Sequence, residues 1–164
     1  MPASFDLAVL LDYVEEETKN WVRFFVQHPA ALDVKLDIAH VENTRGLLHH
    51  IFAVEHRYAQ RLFEEPNTPF EDIPSAPNET LFRIGEQARI RLRQFIESAD
   101  DSKLARNVTF KTVSFGELTV TFRKCLTHAL IHSIRHWAQL ATELRRAGYK
   151  QHWQHDFVFT KAME

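Results

Sequence analysis

The 164-residue sequence has little cysteine, little glycine and no long apolar run. Its single cysteine, Cys125, excludes an internal disulfide and any zinc module built from several cysteines, and we expect it to be a small buried hydrophobe. The chain is 45% hydrophobic with only four glycines, which argues against a disordered or fibrous protein. No apolar run approaches the ~20 residues of a membrane-spanning helix, so we expect no membrane partner.

A large excess of charge of one sign is also missing. The formal net charge is −2, which offers little gain from counterion release on a phosphate backbone, so we expect no nucleic-acid partner. The N-terminal stretch MPASFDLAVLL lacks the basic residues that begin a signal peptide, which favours a cytoplasmic protein. The length predicts a single domain, residues 1–164.

Helical spacing of apolar residues predicts four helices, near residues 5–28, 41–63, 79–99 and 116–147. Segment 64–78 contains four of the six prolines and predicts a long loop that is neither helix nor strand. Segment 107–115 alternates β-branched and polar residues, which predicts a short extended piece. The expected fold class is therefore all-α, a four-helix bundle with a long Pro-rich loop between helices two and three.

The last predicted helix carries three histidines four residues apart, His128, His132 and His136. This spacing puts their side chains on one face, roughly 5–6 Å apart, where two imidazoles can bind one divalent ion. Gln139 and Glu143 extend the same face. A polar shoulder on an amphipathic helix is the alternative, but three histidines in register with these two residues favour a functional site. By spacing alone, His128 and His136 pair equally well with His132.

The second predicted helix offers further histidines. Measured from its apolar stripe, His50 faces inward, where a metal site in a bundle core needs a ligand from a second helix. His49 and His56 point to the opposite side, and we interpret both as surface histidines. Surface positions are also expected for His40, His152, His155 and the acidic run Glu15–Glu17.

Two segments resemble a known family. The run HSIRHWAQ (132–139) resembles the last-helix signature of the DinB/YfiT-like proteins, and LLHHI (47–51) resembles their second-helix segment. The resemblance spans nearly the whole chain. It implies a four-helix bundle that holds one divalent metal through three histidines, which in this sequence are His50, His132 and His136.

Three neutral imidazoles with open coordination positions are typical of a catalytic metal site, which can activate water or a thiol. The resemblance implies one divalent transition metal (Zn, Ni, Fe or Mn). It also implies activation of a low-molecular-weight thiol, such as bacillithiol or mycothiol, for transfer to a small-molecule electrophile. A metal-dependent hydrolase is the alternative, and a non-catalytic stress-response protein braced by its metal is another. A homodimer is compatible with each. A polar, open site near Gln139 would favour catalysis.

Overall fold

Four long helices form the body of the protein. The structure, a computed structural model, describes residues 6–75, 78–112 and 116–162. In chain order the helices are α1 (Leu7–Gln27), α2 (Thr44–Leu62), α3 (Asn78–Ser98), a short α4 (Asp101–Ala105) and α5 (Phe122–Arg146). Helix α1 begins after Asp6, whose side chain accepts a hydrogen bond from the Ala8 amide, and the predicted start near residue 5 lies outside the described residues. None of the described helices is long and apolar enough to cross a membrane.

Two small antiparallel hairpins make the all-α expectation wrong in part. Strand β1 (Lys35–Ile38) pairs with β2 (Val41–Asn43), and β3 (Asn107–Thr112) pairs with β4 (Gly116–Thr121). The first hairpin leads into α2 and the second into α5. The extended piece predicted at 107–115 is present as far as Thr112, and residues 113–115 lie outside the described part of the chain.

Each hairpin ends in a side chain that caps the next helix. The helix predicted from residue 41 begins at Thr44, because the Asn43 side chain accepts a hydrogen bond from the Gly46 amide at 3.0 Å. The helix predicted from residue 116 is also corrected. Residues 116–121, GELTVT, form β4, since three consecutive β-branched residues, Thr119, Val120 and Thr121, favour a strand, and Thr121 then caps α5.

Aromatic contacts fix the relative direction of α2 and α3. The Phe52 ring lies 5.5 Å from that of Phe82, and the Phe63 ring lies 5.9 Å from that of Phe95, so the two helices run in the same direction. Gly85 permits their close approach, because a Cβ atom there would overlap Phe52. A parallel pair needs a connection that returns along the whole of α2, about 28 Å. This explains why they are joined by a long segment, whose described residues form only one short 3-10 turn, Phe70–Asp72.

The core consists of two clusters of buried apolar side chains. One surrounds the stacked rings of Trp21 and Trp137, 5.8 Å apart, and the other surrounds Phe95 and Phe122, 5.6 Å apart. All four long helices contribute to both clusters, which fixes the faces that they present to one another. Cys125 lies buried in the second cluster, as expected of a small hydrophobe, and burial raises the pKa of its thiol to about 12.

The C-terminal segment, residues 147–162, packs along α1. Gly148 adopts a φ of +90°, which favours glycine, and the chain turns back there after α5. Glu17 is buried and accepts hydrogen bonds from Trp153 Nε1 at 2.9 Å and from His155 Nδ1 at 2.6 Å. The predictions of a solvated Glu17 and a surface His155 are therefore wrong, because the C-terminal segment covers this part of α1 and supplies the donors.

Candidate metal centre

The candidate site lies where α2 faces α5. Tyr58 packs against His128 and His50 against His132, so the two helices run antiparallel. The four-residue spacing on α5 then brings His136 to the same point, where its ring centroid lies 4.9 Å from that of His50. The structure thus brings together the three histidines expected to act as ligands. We call His50, His132 and His136 the three-histidine centre.

The nitrogen atoms of the three-histidine centre have the separations of a ligand set. The Nε2 atom of His132 lies 3.0 Å from Nε2 of His50 and 3.1 Å from Nε2 of His136. One ligand atom from each ring lies within 4.8 Å of the others. Imidazole nitrogens about 2.0–2.1 Å from one shared zinc ion are roughly 2.9–3.4 Å apart. The residues present therefore fit a single divalent ion.

Gln139 fixes the orientation of one of these rings. Its Oε1 lies 2.7 Å from His136 Nδ1, and a carboxamide oxygen can only accept, so Nδ1 carries the proton. The lone pair of a neutral His136 is then on Nε2, which points to the other two histidines. His132 Nδ1 is buried and has no hydrogen-bond partner among the described residues. Gln139, which sequence analysis placed on this face, therefore supports the site without joining the three nitrogens.

All three histidines are held neutral at pH 7, the form that can bind a metal. Burial is the main cause, and it lowers the pKa of His132 to about 2 and that of His50 to about 4. Burial also lowers the pKa of His136, although its hydrogen bond to Gln139 raises it. The neighbouring histidines and Arg135 act in the same direction as burial on His50 and His132. Protons therefore compete weakly with a metal for these nitrogens.

The rest of the polar stripe on α5 has other partners. His128, the rival to His136 by spacing, is outside the three-histidine centre, and its ring lies 5.2 Å from that of Tyr58. The Glu143 carboxylate accepts a hydrogen bond from the Asp37 amide of β1 at 3.1 Å. Glu143 therefore holds the first hairpin against α5.

Two histidines of α2 hold the long connection between α2 and α3. His49 Nε2 lies 2.8 Å from the Ile73 carbonyl oxygen, and His56 Nε2 lies 3.4 Å from Thr68 Oγ1. Both side chains are half-buried, because the returning connection covers part of this side of α2, so they are less exposed than the surface positions expected for them. His40 and His152 are exposed, as expected.

A buried ion pair lies beside the three-histidine centre. The Glu55 carboxylate is 1% exposed and accepts hydrogen bonds from Arg89 NH1 and from Ser133 Oγ, both at 2.7 Å. Ser133 follows His132, so this contact ties the ligand-bearing turn of α5 to α2 and α3. Burial raises the pKa of Glu55, while Arg89 and Ser133 lower it. Sequence analysis missed this group, although a charged residue within an apolar helical stripe was the available signal.

The side chains around the three-histidine centre differ in their exposure to solvent. His50 and His132 are partly exposed, whereas His136 is 5% exposed. Phe70, from the connection between α2 and α3, forms an apolar wall with its ring 6.2 Å from that of His50. The half-buried Gln139 supplies a polar group at the site. Gln139 is therefore the polar group expected beside the three histidines, and two of the three rings are in part exposed to solvent.

Comparison with known proteins agrees with the geometry. The sequence profile of the DinB family matches residues 1–164. The chain belongs to the DinB family. The fold is similar to the crystal structure of a DinB-like protein, YjoA of Bacillus subtilis, with a TM-score of 0.61 and 17% sequence identity over 92% of this chain and 96% of that one. No curated protein matches.

Membership of the DinB family and the geometry of the three-histidine centre are both consistent with metal binding. The similarity to YjoA, at 17% identity, shows a shared fold and carries no information on activity. Within this DinB-family chain, three convergent imidazole nitrogens on two facing helices indicate a capacity to bind a metal ion.

Proposed function

We propose that the protein is a divalent-metal-dependent enzyme that activates a low-molecular-weight thiol for transfer to an electrophile. The observation that carries the proposal is the convergence of three neutral histidine nitrogens, two of them on partly exposed rings. The proposal includes a single DinB-like four-helix-bundle domain over residues 1–164 and a cytoplasmic location, where reduced thiols are abundant.

His50, His132 and His136 would hold one divalent transition ion (Zn, Ni, Fe or Mn), and Gln139 would keep His136 in the binding tautomer. A bound ion supplies the positive charge that lets a thiol or a water lose its proton at neutral pH. Phe70 places an apolar ring beside His50. In the transfer, the thiol proton passes to solvent and sulfur forms a bond to the electrophilic carbon. The leaving group departs with the electron pair of the broken bond.

Metal binding is the first test. The purified protein should bind one zinc or cobalt ion per chain, and His132→Ala should lose stoichiometric binding, since two imidazoles rarely hold a labile ion against water. The matched control is His152→Ala, which removes an exposed histidine outside the centre. Retention of full metal content by His132→Ala would refute the ligand set, and loss of metal in His128→Ala alone would favour the rival pair on α5.

Activity separates the proposed function from its alternatives. The metal-loaded protein should accelerate conjugation of a small thiol to an electrophile, and His136→Ala should lose the acceleration. Hydrolysis of an ester or amide without any thiol reaction would establish the hydrolase alternative. If neither reaction occurs and metal removal only lowers the melting temperature, the metal braces α2 against α5 in a non-catalytic stress-response protein.

We also propose that two copies associate through the face formed by α1 and α3. A groove of about 820 Å³ separates these helices, and its lining is mostly apolar. Val26 and Ile90 line the groove and protrude beside it, with 77% and 43% of their surfaces exposed. A groove and protruding apolar side chains on one face suit a second copy of the same chain, since the protruding side chains of each copy can then pack into the groove of the other.

A further inference from the structure

Positive charge dominates the surroundings of the three-histidine centre. Neutral imidazoles bring no negative charge, so a divalent ion held there would keep its full charge. Arg135 adds to it, because it lies within electrostatic reach of all three histidines and lowers the pKa of each. In the described part of the chain, the side-chain hydrogen bonds of the three histidines run to one another and to Gln139, and none involves a carboxylate. The centre therefore lacks a built-in anion.

The carboxylates closest along the chain are committed elsewhere. Glu55 is buried against Arg89. Glu143 pairs with Arg146 at 2.6 Å and also accepts a backbone hydrogen bond. Glu71 and Asp72, beside Phe70, are exposed on the loop, and in the described part of the chain they form no hydrogen bond or ion pair with the three histidines or with Arg135. A bound molecule can therefore supply an anion at the centre.

Arg135 has the charge and the exposure needed to bind an anionic molecule. It is exposed and forms no ion pair with any carboxylate in the described part of the chain, whereas Arg93 and Arg106 are paired at 3.0 Å or less. Its position between His132 and His136 is electrostatically unfavourable once a divalent ion is bound. A planar guanidinium can hold a carboxylate through two parallel hydrogen bonds. A bound carboxylate would offset the repulsion from both cations.

We propose that the three-histidine centre takes a substrate that carries a carboxylate within a few bonds of its metal-binding atom, and that Arg135 binds this carboxylate. The inference rests on the proposed metal-dependent function and narrows its substrate class to anionic molecules, for the thiol route to carboxylated thiols. Arg135 contributes binding and orientation, because the reacting atom itself would lie at the three histidines.

The test uses the full chain loaded with cobalt(II) and two thiols of equal length, 3-mercaptopropionate and the neutral 3-mercaptopropanol. A sulfur that binds cobalt gives a charge-transfer absorption band, so each dissociation constant can be measured without any reaction. The wild-type protein should bind the anionic thiol about fivefold more tightly, the factor expected of one charge-assisted contact that is partly screened by solvent. The preference should decrease as salt is added.

Substitutions assign the preference to one side chain. Arg135→Gln should bind the two thiols equally, and Arg135→Lys should keep part of the preference, since it retains the charge without the planar fork. Arg145→Gln is the matched control. Arg145 is exposed on the same helix about 15 Å farther along, so the preference should remain unchanged.

Each result separates this inference from the function on which it rests. The inference is overturned if the wild type binds the two thiols equally, or if Arg135→Gln keeps the full preference for the anionic thiol. Neither result contradicts the proposed metal centre. Cobalt binding without a sulfur band from either thiol also overturns it. If cobalt does not bind stoichiometrically, the proposed metal centre is refuted and the inference falls with it.

Discussion

At the scale of single residues, a histidine can bind a metal only when its ring is neutral and a nitrogen lone pair points towards the metal position. Burial keeps His50 and His132 neutral, and the hydrogen bond to Gln139 orients the ring of His136. These two conditions distinguish the three-histidine centre from His128, which shares the helix and the spacing but whose ring packs against Tyr58. Helical spacing identifies the candidate ligands, and the burial and hydrogen bonds of each histidine distinguish those that can bind a metal.

Gln139 should matter to metal affinity without being a ligand. Gln139→Ala removes the acceptor at His136 Nδ1, so the neutral ring can place its proton on Nε2 and withdraw the lone pair. We expect zinc affinity, measured by competition with a chromogenic chelator, to fall by about 10- to 100-fold. Thr142→Ala, which removes an exposed side chain bonded to the Ala138 carbonyl on the same helix, should leave the affinity unchanged. An unchanged affinity in Gln139→Ala would show that the hydrogen bond does not orient the ligand.

The metal-free protein should lose stability as the pH falls from 6.5 towards 4. In the folded protein the pKa of His50 is about 4 and that of His132 about 2, against 6.5 for an unperturbed histidine. Below pH 6.5 the unfolded chain binds protons that the folded chain rejects, so this stability is complete above pH 6.5 and is lost on acidification. The slope is at most about 1.4 kcal/mol per pH unit for each histidine.

Urea unfolding in the presence of EDTA measures this slope. His50→Gln removes one of the groups, and its free energy of unfolding should therefore depend less steeply on pH than that of the wild type over the same interval. A wild-type stability that stays constant or increases between pH 6.5 and 5 would contradict the burial of neutral imidazoles at this site.

At the scale of secondary-structure elements, the buried pair of Glu55 and Arg89 joins α2 to α3, and Ser133 connects it to α5 beside the ligands. Arg89→Met should lower the free energy of unfolding by about 3 kcal/mol, because it leaves a buried carboxylate without its cation. Arg93→Met is the control. Its ion pairs with Asp12 and Glu15 are partly exposed to solvent and should account for about 1 kcal/mol or less.

A second substitution tests the cause. Glu55→Gln in the Arg89→Met background removes the unpaired charge while it keeps an acceptor for Ser133, so part of the lost stability should return in urea unfolding. If the double variant is less stable than Arg89→Met, the loss comes from packing of the guanidinium and not from the buried charge.

Local sequence patterns predicted the long helices but not the contacts of the segments that connect and follow them. Apolar periodicity located the four long helices, because each buries one stripe in a common core. It overextended the last one, since residues 116–121 continue the apolar pattern while their β-branched content favours a strand. The half-burial of His49 and His56 and the burial of Glu17 were missed for another reason. Their partners lie on the connection after α2 and on the C-terminal segment, and no local pattern predicts where such segments pack.

At the scale of the whole molecule, the geometry of α1 and α3 favours a two-fold assembly. Asp12 pairs with Arg93 and Phe25 packs against Phe82, so the helices run antiparallel and Val26 and Ile90 lie towards opposite ends of the groove. A two-fold axis that lies in the plane of this face, perpendicular to the line from Val26 to Ile90, places Val26 of one copy against Ile90 of the other.

The charges at the groove are compatible with that arrangement. Helix α1 contributes Lys19 and Arg23 to the lining, with Glu15 already paired to Arg93. Helix α3 contributes Glu79 and Glu86 together with a single exposed cation, Arg83. Since α1 of one copy crosses α3 of the other where Val26 meets Ile90, the cationic residues of α1 meet the more acidic residues of α3 at that contact.

Val26→Glu should therefore shift the protein from dimer to monomer in sedimentation equilibrium, because it places a carboxylate in the apolar contact of both copies. Val158→Glu is the matched control, since Val158 is equally exposed, at 79%, but lies in the C-terminal segment away from the groove, and the dimer should persist. Cysteines introduced together at positions 26 and 90 should cross-link two chains, because within one chain the two positions are about 15 Å apart along the helices. A wild type that stays monomeric at high concentration, or a Val26→Glu variant that stays dimeric, would show that this face does not join two copies.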